Sequence, residues 1–137
     1  MLSIRALPMM AIALILYNAV VLVFGGAETL DRVLFSMPML RGGLGKFTIS
    51  DLIMLVTIAM VFIEIIKSTF TGASAILDHA LSMILFIVAG LEFLIVPQAA
   101  TSIFFFIVIL CLIDVVAGYT IGMRAARRDI SFGGQDN

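Results

Sequence analysis

The sequence predicts an all-α fold, an integral membrane four-helix bundle with up-down topology and both termini inside. Three observations lead there. Of 137 residues, 63% are hydrophobic and only 12% charged, with a mean hydropathy of +1.25, well above the apolar share of a soluble domain. The charges cluster between long apolar runs. The length gives room for about four spans of ~20 residues joined by short connections, so residues 1–137 read as a single transmembrane domain, with helices at about 8–25, 50–70, 75–96 and 102–125.

The first run follows Arg5, and residues 6 to 27 carry no charge, enough to span. A rival reading is a cleaved signal peptide, with Arg5 as its positive region and Gly25-Gly26-Ala27 as a small-residue cleavage site; against it, the apolar run exceeds the usual ~7 to 15 residues. Asn18 falls mid-span with Ala11 and Gly25 on its face, a stripe suited to packing on another helix.

Residues 28–46 form the one substantial loop, containing Asp31, Arg32, Pro38, Arg41, Gly42-Gly43 and Lys46. Leu30, Val33, Leu34 and Met37 recur at helical spacing, which predicts a short amphipathic helix in the interface, covering the bundle's end or docking a partner. Thr48 or Ser50 then caps the second helix, with Asp51 in its first turn where the helix dipole favours a carboxylate. Only 12 uncharged residues separate Asp51 from Glu64, too few to cross ~30 Å of hydrocarbon. Glu64 therefore lies within the span or at its edge, with Lys67 three residues on as its natural partner.

The third helix follows Thr71-Gly72, capped by Ser74, and ends at Pro97. It presents Asp78, Ser82, Ala89 and Glu92 on one face. Asp78, next to His79, suits a helix N-terminus, whereas Glu92 falls ~21 Å further along, toward the opposite membrane face. On the fourth helix Asp114 is flanked by Cys111, Ala117, Gly118 and Ala125, and Gly118 with Gly122 makes a GxxxG pair that permits close helix packing. The helix continues through Arg124, Arg127 and Arg128, and the tail from Ser131 to Asn137 is expected to fray.

Orientation follows from the lysines and arginines. With the N-terminus inside, the cytoplasmic side holds Arg5, Lys67, Arg124, Arg127 and Arg128, and the outer side Arg32, Arg41 and Lys46, which favours N-in, C-in. Glu64, Lys67, Asp78, His79 and Asp114 then lie in the inner half, and Glu92 is the deep acid of the outer half. A charge at mid-membrane costs ~2.5 to 3.5 kcal/mol on insertion scales, so these acids face a partner helix, a cavity or one another. Two roles fit. Either Glu64–Lys67, and Asp114 with His79 or an arginine, are interhelical locks, or the acids form a proton or ion pathway.

Several chemistries are excluded by residue count. A lone His79 cannot supply a bis-histidine haem, and a lone Cys111 supplies neither disulfide nor thiol pair. A metal set of Glu64, Asp78, His79 and Asp114 lacks the Glu-x-x-His spacing of bundle metal sites. No nucleophile–base arrangement or phosphate loop is present, so no enzyme and no cofactor is expected; nor is there a basic footprint for nucleic acid. In length and span count the chain resembles the small multidrug-resistance transporters, which work as dimers around a membrane-embedded glutamate. That family's essential acid lies in its first helix, where this chain has none, so none of its sites is carried over.

The functional expectation is a small multi-pass protein, an accessory or scaffold subunit of a membrane complex or a homo-oligomer. The alternatives are a proton- or cation-coupled transporter or channel and, third, a membrane enzyme or metal carrier. Short loops and the lack of a eukaryotic targeting signal point to a prokaryotic inner membrane, with the lipid bilayer as the first partner.

Overall fold

The computed structural model describes residues 7–70 and 73–133, the side chains of 73, 74, 125, 126 and 129–133 excepted. Arg5, Thr71 and Gly72, the Ser74 side chain, Ala125's side chain and residues 134–137 lie outside the described residues. The described residues are 75% helical, with four helices. They are α1 (Met10–Asn18), which widens into a π-helical turn (Ala19–Val23), α2 (Ile49–Lys67), α3 (Ala73–Ile95) and α4 (Ser102–Gly133). The last three are long and apolar enough to cross a membrane. The run Met10–Val23 is shorter than these, so length alone supports three spans where the sequence suggested four.

Even so, α1 lies along the bundle from one end to the other. Near its start the Leu7 carbonyl accepts from Lys67 at the end of α2. Near its end the Tyr17 hydroxyl reaches the α3–α4 connection, donating to the Gln98 carbonyl (2.9 Å) and lying 2.7 Å from Thr101 Oγ1. The helices therefore alternate in direction. The π-turn, with the Phe24 amide donating to the Ala19 carbonyl and Gly26 to Val21, consumes residues without lengthening the helix as an α-helix would.

The segment from 28 to 46 is not an amphipathic helix. A single 3-10 turn (Ala27–Asp31) leads into an antiparallel hairpin of β1 (Val33–Pro38) and β2 (Leu44–Thr48). Two features defeat the helix. Pro38 has no amide to donate, and Gly42 (φ +82°) and Gly43 (φ +99°) adopt the left-handed backbone that reverses the chain cheaply only at glycine. Phe35 and Phe47, paired in register, stack with ring centroids 4.7 Å apart, a favourable cross-strand pair.

The end of the hairpin is also the start of α2. Thr48 Oγ1 accepts the Asp51 amide (3.3 Å) while Asp51 Oδ2 accepts the Thr48 amide (2.8 Å), a reciprocal capping box. Of the two expected caps it is Thr48 that serves.

The core runs along the bundle axis. Met10, Leu14, Tyr17 and Val21 of the first helical run meet Ile53, Thr57 and Val61 of α2, Ala89 of α3, and Phe104, Ile107 and Cys111 of α4, all at helical spacing. Tyr17 packs edge-on against Phe104, centroids 4.7 Å apart, a geometry suited to the ring quadrupoles. The outer faces are as apolar as the core: Ile76 and Leu94 are 77% and 78% exposed. Such surface is stable against hydrocarbon and costly against water.

Candidate functional site

One end of the bundle gathers most of the ionisable residues singled out from the sequence. Glu64 closes the buried stripe of α2 and is 1% exposed, and Lys67 follows one turn later. Lys67 Nζ donates to Glu64 Oε1 (3.2 Å), to Asp78 Oδ1 near the start of α3 (3.0 Å) and to the Leu7 carbonyl (2.8 Å). The second oxygen of Glu64 accepts the Met9 amide at 2.6 Å. That amide lies at the start of α1, where helical N–H groups have no internal partner and favour an anion. One lysine and one glutamate thus tie together the α1 entry, α2 and α3.

Asp114 is 3% exposed and lines the same cavity as Ser82 of α3. Among the described residues Asp114 forms no ion pair with His79, Arg124 or Arg127. The His79 ring instead lies beside Tyr119 of α4, centroids 5.8 Å apart. Arg124, Arg127 and Arg128 sit further along α4, exposed. The physical reason is spacing: Asp114 lies a full ten residues before Arg124, ~15 Å along a helix axis.

Between these groups is a cavity of about 460 Å³, lined by Glu64, Lys67, Asp78, His79 and Asp114 together with apolar residues such as Phe70, Ile76, Tyr119 and Met123. Gly118 and Gly122 line it too. They do not act as a matched close-packing pair. A Cβ at Gly118 would meet Ser68 Oγ at 3.3 Å and His79 Nδ1 at 3.4 Å, whereas one at Gly122 would meet nothing within 4 Å. Only Gly118 permits a close approach; Gly122 faces open space.

Glu92 stands apart from this cluster. It lies toward the other end of the bundle, half-buried. Asn18 is half-buried at the junction of α-helix and π-turn, without a side-chain cap bond. The packed face of α1 is that of Tyr17 beside it, and Gly25 lies beyond the helix.

Chemically, the cavity sets three carboxylates against one lysine and one histidine. Such a floor under apolar walls can hold a positive group or pass a proton. Among the described residues no group of three His, Cys, Asp or Glu is arranged to hold a metal ion.

Sequence reasoning missed two participants in the site, and Tyr17 at the other end of the bundle. The Met9 amide and Leu7 carbonyl are backbone groups and carry no residue signal. Tyr17 did carry one, as a side chain with a polar tip in the middle of an apolar run, since a buried hydroxyl needs a partner. Ser82 shares the cavity lining with Asp78 and Asp114. No protein-family model, curated protein or solved structure matches this chain, so the site's geometry carries the functional reading by itself.

Proposed function

We propose that the chain is a small multi-pass membrane protein, an accessory or scaffold component of a membrane complex or homo-oligomer. We place it in a prokaryotic inner membrane with both termini on the cytoplasmic side. The observation that carries this reading is the triple engagement of Lys67 by Glu64, Asp78 and the Leu7 carbonyl. The charges best placed for an ion pathway are consumed in holding segments of the bundle together. A bundle fastened in this way, with apolar outer faces, suits lateral packing against other membrane helices. The test is to purify the protein from its own membrane in mild detergent and to reconstitute it alone. A stoichiometric assembly by native mass measurement, with no proton or monovalent-cation flux in proteoliposomes, is the expected result. Flux by the isolated protein overturns it.

A second reading is favoured by one specific observation. Asp114 is buried, lines the cavity together with Ser82 and has no ion-pair partner among the described residues, as a proton- or cation-coupled transporter or channel would require. Under that reading Asp114→Asn abolishes flux in a folded protein. Glu64→Gln lowers stability, and Glu92→Gln, remote from the cavity, leaves flux intact.

A further inference from the structure

In the hairpin β1 is exposed along its whole length and β2 is only partly covered. Its two ends sit together at the start of α2: Val33 pairs with Thr48, and the Ile49 amide donates to the Arg32 carbonyl. Since α2 is 19 residues long, ~28 Å and so about the hydrocarbon thickness, the hairpin leaves the bundle at headgroup level.

Its two faces differ. On one, Phe35 stacks on Phe47 and Met37 pairs with Gly45, with the Met39 side chain close above that glycine; Phe35, Met37 and Met39 are 53%, 47% and 54% exposed. At the tip Leu40 is fully exposed and Arg41 follows it. The opposite face carries the Ser36–Lys46 pair and, nearer the turn, Pro38 paired with the exposed Leu44. Between Arg32 and Ser50 there is no acidic residue, and Arg32, Arg41 and Lys46 form no ion pair among the described residues.

An apolar face with a basic margin matches the boundary between acyl chains and anionic headgroups. It does not match a second copy of itself, which would bring like charges together. We infer that the hairpin is an interfacial anchor, its Phe35–Phe47 face and Leu40 tip lying in the membrane boundary and Arg32, Arg41 and Lys46 holding anionic phospholipid headgroups. This rests on the membrane reading above.

The test uses the full chain with Cys111→Ala and Leu40→Cys, labelled with an environment-sensitive fluorophore. It is reconstituted at high lipid-to-protein ratio in vesicles of phosphatidylcholine alone or mixed with phosphatidylglycerol. In anionic vesicles a blue-shifted emission protected from an aqueous quencher is expected. Protection should be lost in phosphatidylcholine, in high salt, and in Arg41→Gln/Lys46→Gln. A water-like emission in both lipids overturns the inference. So does protection that ignores lipid charge and both substitutions, or that grows with protein density, which would identify a second copy as the occupant. Flotation with the vesicles after alkaline extraction is read in the same samples. Protein that floats with an unprotected tip sinks the anchor alone, and protein that does not float sinks the membrane reading.

Discussion

At Glu64 the fold depends on one cation. The carboxylate is 1% exposed, and burying a charge is tolerated only when its partners come with it. Removing one partner of a buried pair costs roughly 3–5 kcal/mol, because the other is left uncompensated. Lys67→Met is therefore expected to lower the midpoint of thermal unfolding in detergent more than any other single change at this end of the bundle. Asp78→Asn loses a partly exposed contact and should cost about 1 kcal/mol or less. Glu64→Gln combined with Lys67→Met should recover part of the loss, since the stranded charge is gone. A double variant as unstable as the sum of the singles would mean that the two residues act independently. The glycines of α4 give a second comparison at this scale. Gly118→Ala pushes a methyl against Ser68 and His79 and should cost about 1 kcal/mol. Gly122→Ala enters open space and, with alanine's better helix propensity, should be neutral or stabilising by up to ~1 kcal/mol. Thermal unfolding of the two variants side by side decides it, and equal effects would refute the difference in packing.

The hairpin and α2 behave as one element joined at Thr48. Thr48→Ala removes the hydroxyl half of the capping box and is expected to cost about 1 kcal/mol. Because Thr48 also ends β2, amide hydrogen exchange should rise both in the first turn of α2 and across the β1–β2 ladder. Exchange that rises in α2 alone would show that the hairpin folds without the cap. At this scale the sequence was readable only where the signal was local. Thr48 and Asp51 announced the start of α2, and the Glu64–Lys67 spacing announced their bond. In the hairpin two periods coincide, since Leu30, Val33, Leu34 and Met37 suit a helix while Val33, Phe35 and Met37 suit a strand. Gly42-Gly43, the reversal between the two strands, is the deciding feature. Contacts set by packing were out of reach: Asp78 joins Lys67 from 11 residues away, and Tyr17 meets Thr101 across 84. The cavity around Asp114 depends on how α3 and α4 pack, which no spacing along one helix encodes.

At the scale of the molecule the two ends of the bundle differ in kind. One holds the Glu64–Lys67–Asp78 cluster, the cavity and the arginines of α4; the other holds the hairpin and the Tyr17–Thr101 contact. In the structure the start of α1 and the C-terminal half of α4 lie at the same end, so the charge bias acts on both together. That bias is small. Arg5, Lys67, Arg124, Arg127 and Arg128 oppose Arg32, Arg41 and Lys46, five against three, and it is the excess near the span ends that sets orientation. Arg124→Gln with Arg127→Gln brings the count to three against three, and such a chain should insert in both directions. The measurement uses Cys111→Ala with Glu28→Cys, an exposed position in the 3-10 turn, and a membrane-impermeant thiol reagent applied to intact spheroplasts. Complete labelling is expected with the native arginines and partial labelling in the double variant, rising to completion when the membranes are opened. A Glu28→Cys chain that is labelled only after opening places the hairpin on the cytoplasmic side and reverses the proposed orientation. A double variant that still labels completely would mean that the fold, through the fastening of α1 to α2 and α3, sets direction before the arginines can.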